Sequence, residues 1–349
     1  MKKKLPVLDI FRIAMVWGVV FFHINGSYPL HSALSFFSFG VFGCVAISGF
    51  LMGFLHGDEY TDCTLSDCLH VWKKKRNKFY FIHFLTFCMC APITVYYHRF
   101  SYTVGTALRD AANAAANLLL IQSFLPAEEF YFGFNGVSWY LSTSLVLYFL
   151  SPFFSARLCR RETPEDKLRF CALVWAAVNV AMSLLAYVLP ILFLTYIMPL
   201  AHIPGYLLAI AVGMIYAENG NMKGLRWGRL LLWGCLVLGT NFIKNRFSPL
   251  YGTEHPDSAA LEAAALLCIL LLLKLPCRSS RAVELLSESS FELFMVHTVV
   301  TRYMSLLWPA GQLTPLLAAA CAFVLSVFLS LALYALRRKK RLLPASVGK

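Results

Sequence analysis

The chain has 349 residues, 59% of them hydrophobic and 14% charged, whereas an average soluble domain carries about 25% charged residues. The apolar residues fall in blocks of about 20 separated by short charged loops, which marks a chain that crosses a membrane many times and excludes an ordinary soluble enzyme. A formal net charge of +13 does not make it a nucleic-acid binder. Lys and Arg cluster between the apolar blocks, at Lys2–Lys4, Lys73–Lys78, Arg157–Arg169, Lys223–Arg229, Lys274–Arg281 and Arg337–Arg341, the distribution of the positive-inside rule with added attraction to anionic lipid.

Hydropathy along the chain predicts ten spans, over 8–28, 34–55, 79–98, 135–156, 169–188, 194–217, 229–246, 258–276, 289–309 and 313–336. The first block lacks a small-residue cleavage site and carries Arg12 inside it, so it reads as a retained helix and not as a signal peptide. With the N-terminus in the cytosol, the loops 56–78, 157–168, 218–228 and 277–288 and the tail lie on the same side. All of the 31 Lys and Arg except Arg99, Arg109, Lys244, Arg246 and Arg302 then fall in those segments or the adjoining span ends. This asymmetry predicts both termini in the cytoplasm. The stretch 111–126 (AANAAANLLLIQSFLP) is apolar, but counting it as a span would put the Arg157–Arg169 loop outside. It is also short and carries Asn113, Asn117 and Gln122, so it is expected to be a short non-spanning helix that packs on the bundle or re-enters it. The outer loops hold Glu128 and Glu129, and Glu254 and Asp257, all read as solvated. The 11 cysteines are mostly single and apolar in context. Cys63 and Cys68 share a cytosolic loop, no metal-type spacing appears, and reduced thiols are expected. No internal repeat, long linker or extramembrane domain interrupts the pattern. The expected architecture is an all-α polytopic membrane protein forming a single membrane domain over 1–349.

The stretch richest in chemistry is Leu8 to His23, LDIFRIAMVWGVVFFH. Arg12 and His23 are separated by ten residues, and eleven helical steps come to about three turns plus 20°. Asp9 joins the same face about 40° from His23. An acid, a permanent cation and an imidazole on one stripe of an apolar helix must face protein or water. Taken singly, Arg12 reads equally as a snorkelling interface residue and His23 as a hydrogen-bonded bundle residue. Their shared face points instead to one groove with an anion anchor and a proton acceptor.

This stripe resembles the first-helix signature of the membrane-bound acyltransferase 3 family, an Arg, ten residues, then His, opened here by Leu8-Asp9-Ile10-Phe11-Arg12. Further blocks follow in the family's order. Ile47-Ser48-Gly49-Phe50-Leu51 is similar to its Ser-Gly-Phe stretch. Lys75 and Lys78 match the two basic positions of its Lys/Arg-x-x-Arg-Ile-x-Pro segment, while Phe79 and Phe81 replace Ile and Pro. Trp139-Tyr140-Leu141 with Tyr148 and Pro152 resembles its Trp-aromatic-Leu helix, and Ile203-Pro204-Gly205-Tyr206-Leu207 with Gly213 its Pro-x-Phe-x-x-Gly helix. Glu288-Ser289-Ser290-Phe291 leading to Val296-His297 resembles its final Ser-Phe/Leu-x-x-Tyr-x-x-His pattern. The chain ends 13 residues after the last predicted span and looks like the acyltransferase-only form.

The resemblance implies a multi-pass enzyme of the bacterial cytoplasmic membrane. It would move an acetyl or other acyl group from cytosolic acetyl-CoA, a co-substrate and not a bound cofactor, to a hydroxyl of a cell-surface or lipid-linked glycan. The partners implied are the lipid bilayer, acyl-CoA and the glycan, with no metal and no nucleic acid. On a regular helix eleven residues rise about 16 Å, so Arg12 and His23 would bracket an extended ligand and not touch. Arg12 with Lys75 and Lys78 would hold the phosphates. His23 would act as general base, with a covalent acyl-His as the rival route. Ser48, Trp139, Tyr148 and His297 are expected to line the substrate groove or to pack the bundle. His202, between Pro199 and Pro204, reads as a broken helix end, His83 as packing, and Glu262 and Lys274 as facing the interfaces. A transporter or flippase is the alternative class, and it would be favoured by paired half-repeats, which the sequence lacks.

Overall fold

The computed structural model describes residues 5–99, 103–125, 127–188, 198–220, 227–247, 258–307 and 314–342. Among them are twelve α-helices and no strand. In chain order these are α1 (Pro6–Ser27), α2 (Gly40–His56), α3 (Leu65–His98), α4 (Val104–Leu118), α5 (Glu128–Tyr131), α6 (Trp139–Cys159), α7 (Pro164–Val188), α8 (Met198–Asn219), α9 (Trp227–Phe247), α10 (Ser258–Leu272), α11 (Arg281–Leu307) and α12 (Pro315–Leu342). Setting aside α4 and α5, ten helices occupy the ten predicted spans. Stretches of α1, α2, α3, α6, α7, α8 and α12 are long and apolar enough on their own to cross a bilayer. The protein is an all-α polytopic membrane protein. The Lys223 and Arg226 positions and the Glu254–Asp257 loop lie outside the described residues.

Cross-element bonds test the predicted alternation. At one end of the bundle Cys159 Sγ reaches the Gly57 carbonyl at 3.1 Å, Lys167 Nζ reaches Glu218 at 2.6 Å, and Arg160 pairs with Asp62 at 3.6 Å. Arg12 on α1 meets Ser287 on α11 there at 2.8 Å, and Arg337 on α12 reaches the Glu288 carbonyl at 3.2 Å. The segments predicted to share a side do share an end, here called the basic end. At the opposite end Asn135 Nδ2 donates to the Met295 carbonyl at 2.9 Å, Thr298 donates to Asn135 Oδ1 at 2.7 Å, and Arg302 donates to the Phe134 carbonyl.

Several boundaries differ from expectation. The segment 56–78 is a loop only as far as Thr64, because Thr64 caps α3 in a capping box. Asp67 N donates to Thr64 Oγ1 at 3.3 Å and Thr64 N to Asp67 Oδ2 at 2.8 Å. Cys63 and Cys68 flank the cap as an apolar staple with their sulfurs 3.6 Å apart. Burial and the adjacent Cys68 thiol push the Cys63 thiol up to about 12, so it stays protonated at neutral pH. All 11 cysteines are free thiols. With 34 residues, α3 is about 51 Å long, longer than a hydrocarbon core, and its basic first half extends beyond the apolar zone. In the same way α11 begins at Arg281 and not at 289.

Of the short helix expected over 111–126, α4 covers only 111–118, and a 3₁₀ turn at Gln122–Phe124 follows it. Helix α4 starts at Val104 because Thr103 and Thr106 form a second capping box. Its 15 residues reach about 22 Å, too short to cross. The amide side chains of the 111–126 stretch bond within the protein. The His83 ring donates to the Asn117 carbonyl at 2.9 Å, Ser138 to Asn117 Oδ1 at 3.1 Å, and Gln122 to Ser138 at 3.1 Å. Glu129, read as solvated, forms a two-bond pair with Arg109 that ties α5 to α4. One assignment is corrected: Glu262 does not face the interface. It is fully buried on α10 and bonded to the buried His202 of α8, because a carboxylate at that depth needs a partner.

The tightest crossing is α2 on α8. Gly49, Gly53 and Gly57 repeat every four residues, and a Cβ on Gly53 would collide with the Ile210 carbonyl. A Cβ on Gly213 would collide with the Phe50 carbonyl. Backbone meets backbone on both sides, the small-residue packing that joins helices where lipid supplies no hydrophobic drive. Gly53→Leu is therefore expected to destabilise the fold by at least about 1–3 kcal/mol, read as a lowered thermal midpoint in detergent. Gly234→Leu, with open space around the Cα, is expected to leave the midpoint in place.

Candidate active site

The polar stripe of α1 faces α11, and the two helices run parallel from the basic end. At the basic end Arg12 Nη1 donates to Ser287 Oγ at 2.8 Å and lies 3.4 Å from Asp9 Oδ1, while Ser287 Oγ donates to Asp9 Oδ1 at 2.7 Å. Eleven residues further along α1, His23 meets His297 with ring centroids 5.1 Å apart. Polar pairs therefore close both ends of one seam, and the apolar residues Val16, Val19, Val20, Leu293 and Val296 pack between them.

His297 is completely buried. Its Nδ1 lies 3.2 Å from the Leu293 carbonyl one turn back. A carbonyl only accepts, so Nδ1 carries the hydrogen and Nε2 carries the lone pair. That Nε2 is buried and has no hydrogen-bond partner among the described residues. An orphaned acceptor in an apolar bundle is costly, and such sites are where a reacting proton is received. His23 is half-buried, with Phe22 packed edge-on at 5.1 Å.

A cavity of about 1110 Å³ opens at the basic end between α1, α2, α3, α6, α11 and α12. Its cationic lining is Arg12, Lys75, Lys78, Arg281, Arg337 and Arg338, against the carboxylates Glu284 and Glu288. The excess of positive charge suits a multiply charged anion, and the guanidinium forks suit phosphate. Lys75 Nζ sits 4.0 Å above the Tyr148 ring, and Phe79 packs on Phe291 at 4.9 Å. Ser48 lines the wall and donates its hydroxyl to the Cys44 carbonyl at 2.8 Å. The far end is walled by Val16, Cys44, Tyr140 and Phe294.

The cavity thus gathers Arg12, Lys75, Lys78, Ser48 and Tyr148 of the residues singled out in sequence. His23 and His297 stand together beyond its far end, and Trp139 stands apart, stacked between Tyr131 at 5.3 Å and His202 at 6.0 Å. Sequence reasoning missed Arg281, Arg337, Arg338, Ser287, Tyr140 and Phe294. The three arginines belong to clusters that were read only as topology signals. Ser287 directly precedes the Glu288-Ser289-Ser290-Phe291 block that resembles the family pattern, and Tyr140 sits inside another such block.

A cation-lined cavity opens at one end of the membrane bundle, and an imidazole pair stands deeper in it. A family model described as an acyltransferase domain, acyltransferase 3, matches residues 5–335, and the chain belongs to this family of membrane acyltransferases. No curated protein and no solved structure matches it.

The basic end depends on Glu292, which is fully buried and paired with Arg337 Nε at 2.8 Å. Glu292→Ala, which strands a buried cation, is expected to cost about 3–5 kcal/mol, and joining it with Arg337→Met should recover most of that loss. Thermal unfolding of the purified protein in detergent measures both.

Proposed function

We propose that this acyltransferase takes an acetyl group, or another short acyl group, from cytosolic acetyl-CoA and places it on a hydroxyl of a cell-surface or lipid-linked glycan. The basic end faces the cytosol of a bacterial cytoplasmic membrane, and the donor enters there. The observation that carries this reading is the α1–α11 seam, which has a cation-lined cavity at its basic end and the His23–His297 pair beyond the far end of that cavity. Family membership supports the transfer chemistry. The charge distribution supports the orientation.

In this reading Arg12, Lys75 and Lys78, joined by Arg281, Arg337 and Arg338, bind the phosphates of CoA. Asp9 and Ser287 fix the Arg12 guanidinium so that it meets the anion preorganised. The flexible arm lies along the cavity with its thioester toward the histidines. His23 takes the proton of the acceptor hydroxyl as the oxygen attacks the thioester carbonyl. The C–O bond forms, the C–S bond breaks, and the thiolate of CoA leaves and regains that proton from the imidazolium. His297, with Nδ1–H committed to Leu293, offers its Nε2 lone pair to hold or relay the proton beside His23.

Membranes carrying the protein are expected to release CoA thiol from acetyl-CoA and to acetylate surface glycans, seen as a one-acetyl mass shift. His23→Ala should lower both by at least about 10²-fold, the contribution of a positioned base, with the protein still present in the membrane. Arg12→Ala removes charge-assisted bonds of about 1.5–3 kcal/mol and should raise KM for acetyl-CoA about 10- to 100-fold with a smaller change in kcat. Full transfer by the His23→Ala protein would overturn the assignment of the base. Acceptor movement without CoA consumption would replace the enzyme by a carrier.

A further inference from the structure

We infer that Phe294 is the residue that separates the donor cavity from the histidine pair and limits the length of the acyl group that passes between them. The inference rests on the proposed acyl-CoA reading of the cavity. Phe294 lines the far end of the cavity, and its ring centroid is 6.0 Å from that of His297. It is also 5.2 Å from Tyr140, which lines the same end. Only 4% of Phe294 is exposed, so the ring is packed between the far end of the cavity and the His297 ring.

The helix register gives the same result. On α1 the deepest residue lining the cavity is Val16, and His23 is seven residues on, about 10 Å of rise. On α11 Phe294 is the deepest, and His297 is three residues on, about 4.5 Å of rise and 60° around. Along α11, a thioester held by the basic end meets Phe294 before it meets the imidazoles. The remaining walls there are Val16, which is packed, Cys44, and Tyr140, whose ring is tilted at 57° to that of Phe294. Neither Phe294 nor Tyr140 carries charge, and an apolar passage suits an acyl group while holding phosphates and bulk water back.

The ring turns about its side-chain torsions to admit the acyl group. The space it yields sets how many methylenes follow the carbonyl. One methylene in an apolar pocket shifts discrimination by about 10- to 200-fold, so a change from Phe to Ala should be visible in the donor profile. The transfer step itself is unaltered: acyl carbon to acceptor or water oxygen, C–S broken, thiolate protonated by the imidazolium. Phe294 is thus a positioning residue that touches the acyl chain's path and takes no proton.

The test uses the full chain in membrane vesicles with acetyl-, butyryl- and hexanoyl-CoA, reading CoA thiol release, together with displacement of labelled CoA. Phe294→Ala is expected to raise the ratio of butyryl to acetyl turnover by at least about 10-fold. Phe294→Trp is expected to lower kcat for acetyl-CoA while CoA binding stays within about two-fold of wild type, because the cavity mouth is untouched. Phe294→Leu and Phe294→Met, close to native in volume, keep the test valid should the Ala variant fail to accumulate. Their donor ratios should shift in the order of the space they free. A wild-type donor ratio in every variant with intact CoA binding overturns the role of Phe294 and leaves the acyltransferase reading standing. Absence of CoA binding and thiol release in the wild-type protein overturns both.

Discussion

The structure depends on one constraint. A polar group placed in an apolar bundle must find its partner inside the protein. Helix α1 carries three such groups on one face, and α11 is the helix that answers them, with Ser287 for Asp9 and Arg12 and with His297 for His23. The parallel run of the two helices follows from this matching. Further connections are of the same kind, as Glu292 draws in Arg337 from α12 and Asn135 ties the α5–α6 segment to α11. One of the buried polar atoms that the described residues leave without a hydrogen bond, His297 Nε2, lies where the polar seam ends.

Much of the fold was legible because each feature left a one-dimensional trace. Blocks of about 20 apolar residues marked the helices, and the alternating Lys and Arg clusters marked which ends lie together. The rejection of 111–126 as a span rested on the same charge alternation, and α4 is too short to cross. Helix starts were less legible. The caps at Thr64 and Thr103 lie in polar stretches that hydropathy discards, so α3 and α4 begin earlier than hydropathy placed them. Glu262 was misplaced because its partner, His202, is 60 residues away, and no local pattern records such a pairing.

The candidate site divides in the same way. The spacing of Arg12 and His23 showed that they share a face but not which helix that face meets. Lys75, Lys78, Ser48 and Tyr148 were located through short motifs, and they converge on one cavity. The arginines of α11 and α12 were hidden by their second role, since a cluster that orients a membrane protein and a cluster that binds an anion look alike in sequence. Phe294, one of 29 phenylalanines, was not singled out, although it stands three residues before His297, where the Ser-Phe/Leu-x-x-Tyr-x-x-His pattern has Tyr. Its importance comes only from its position between two places that the chain reaches from different helices.

The glycine seam between α2 and α8 has a consequence at the cavity. Ser48, Leu51, Met52 and Leu55 of α2 form part of the cavity wall, while Gly49, Gly53 and Gly57 on the same helix rest on α8. The absent side chains on one face therefore hold the opposite face at a set depth, as a shim of zero thickness would. A methyl group introduced at the seam would push Ser48 toward Tyr148 and narrow the cavity without touching a lining residue. The bore of the cavity is thus fixed from behind, by atoms that α2 does not have.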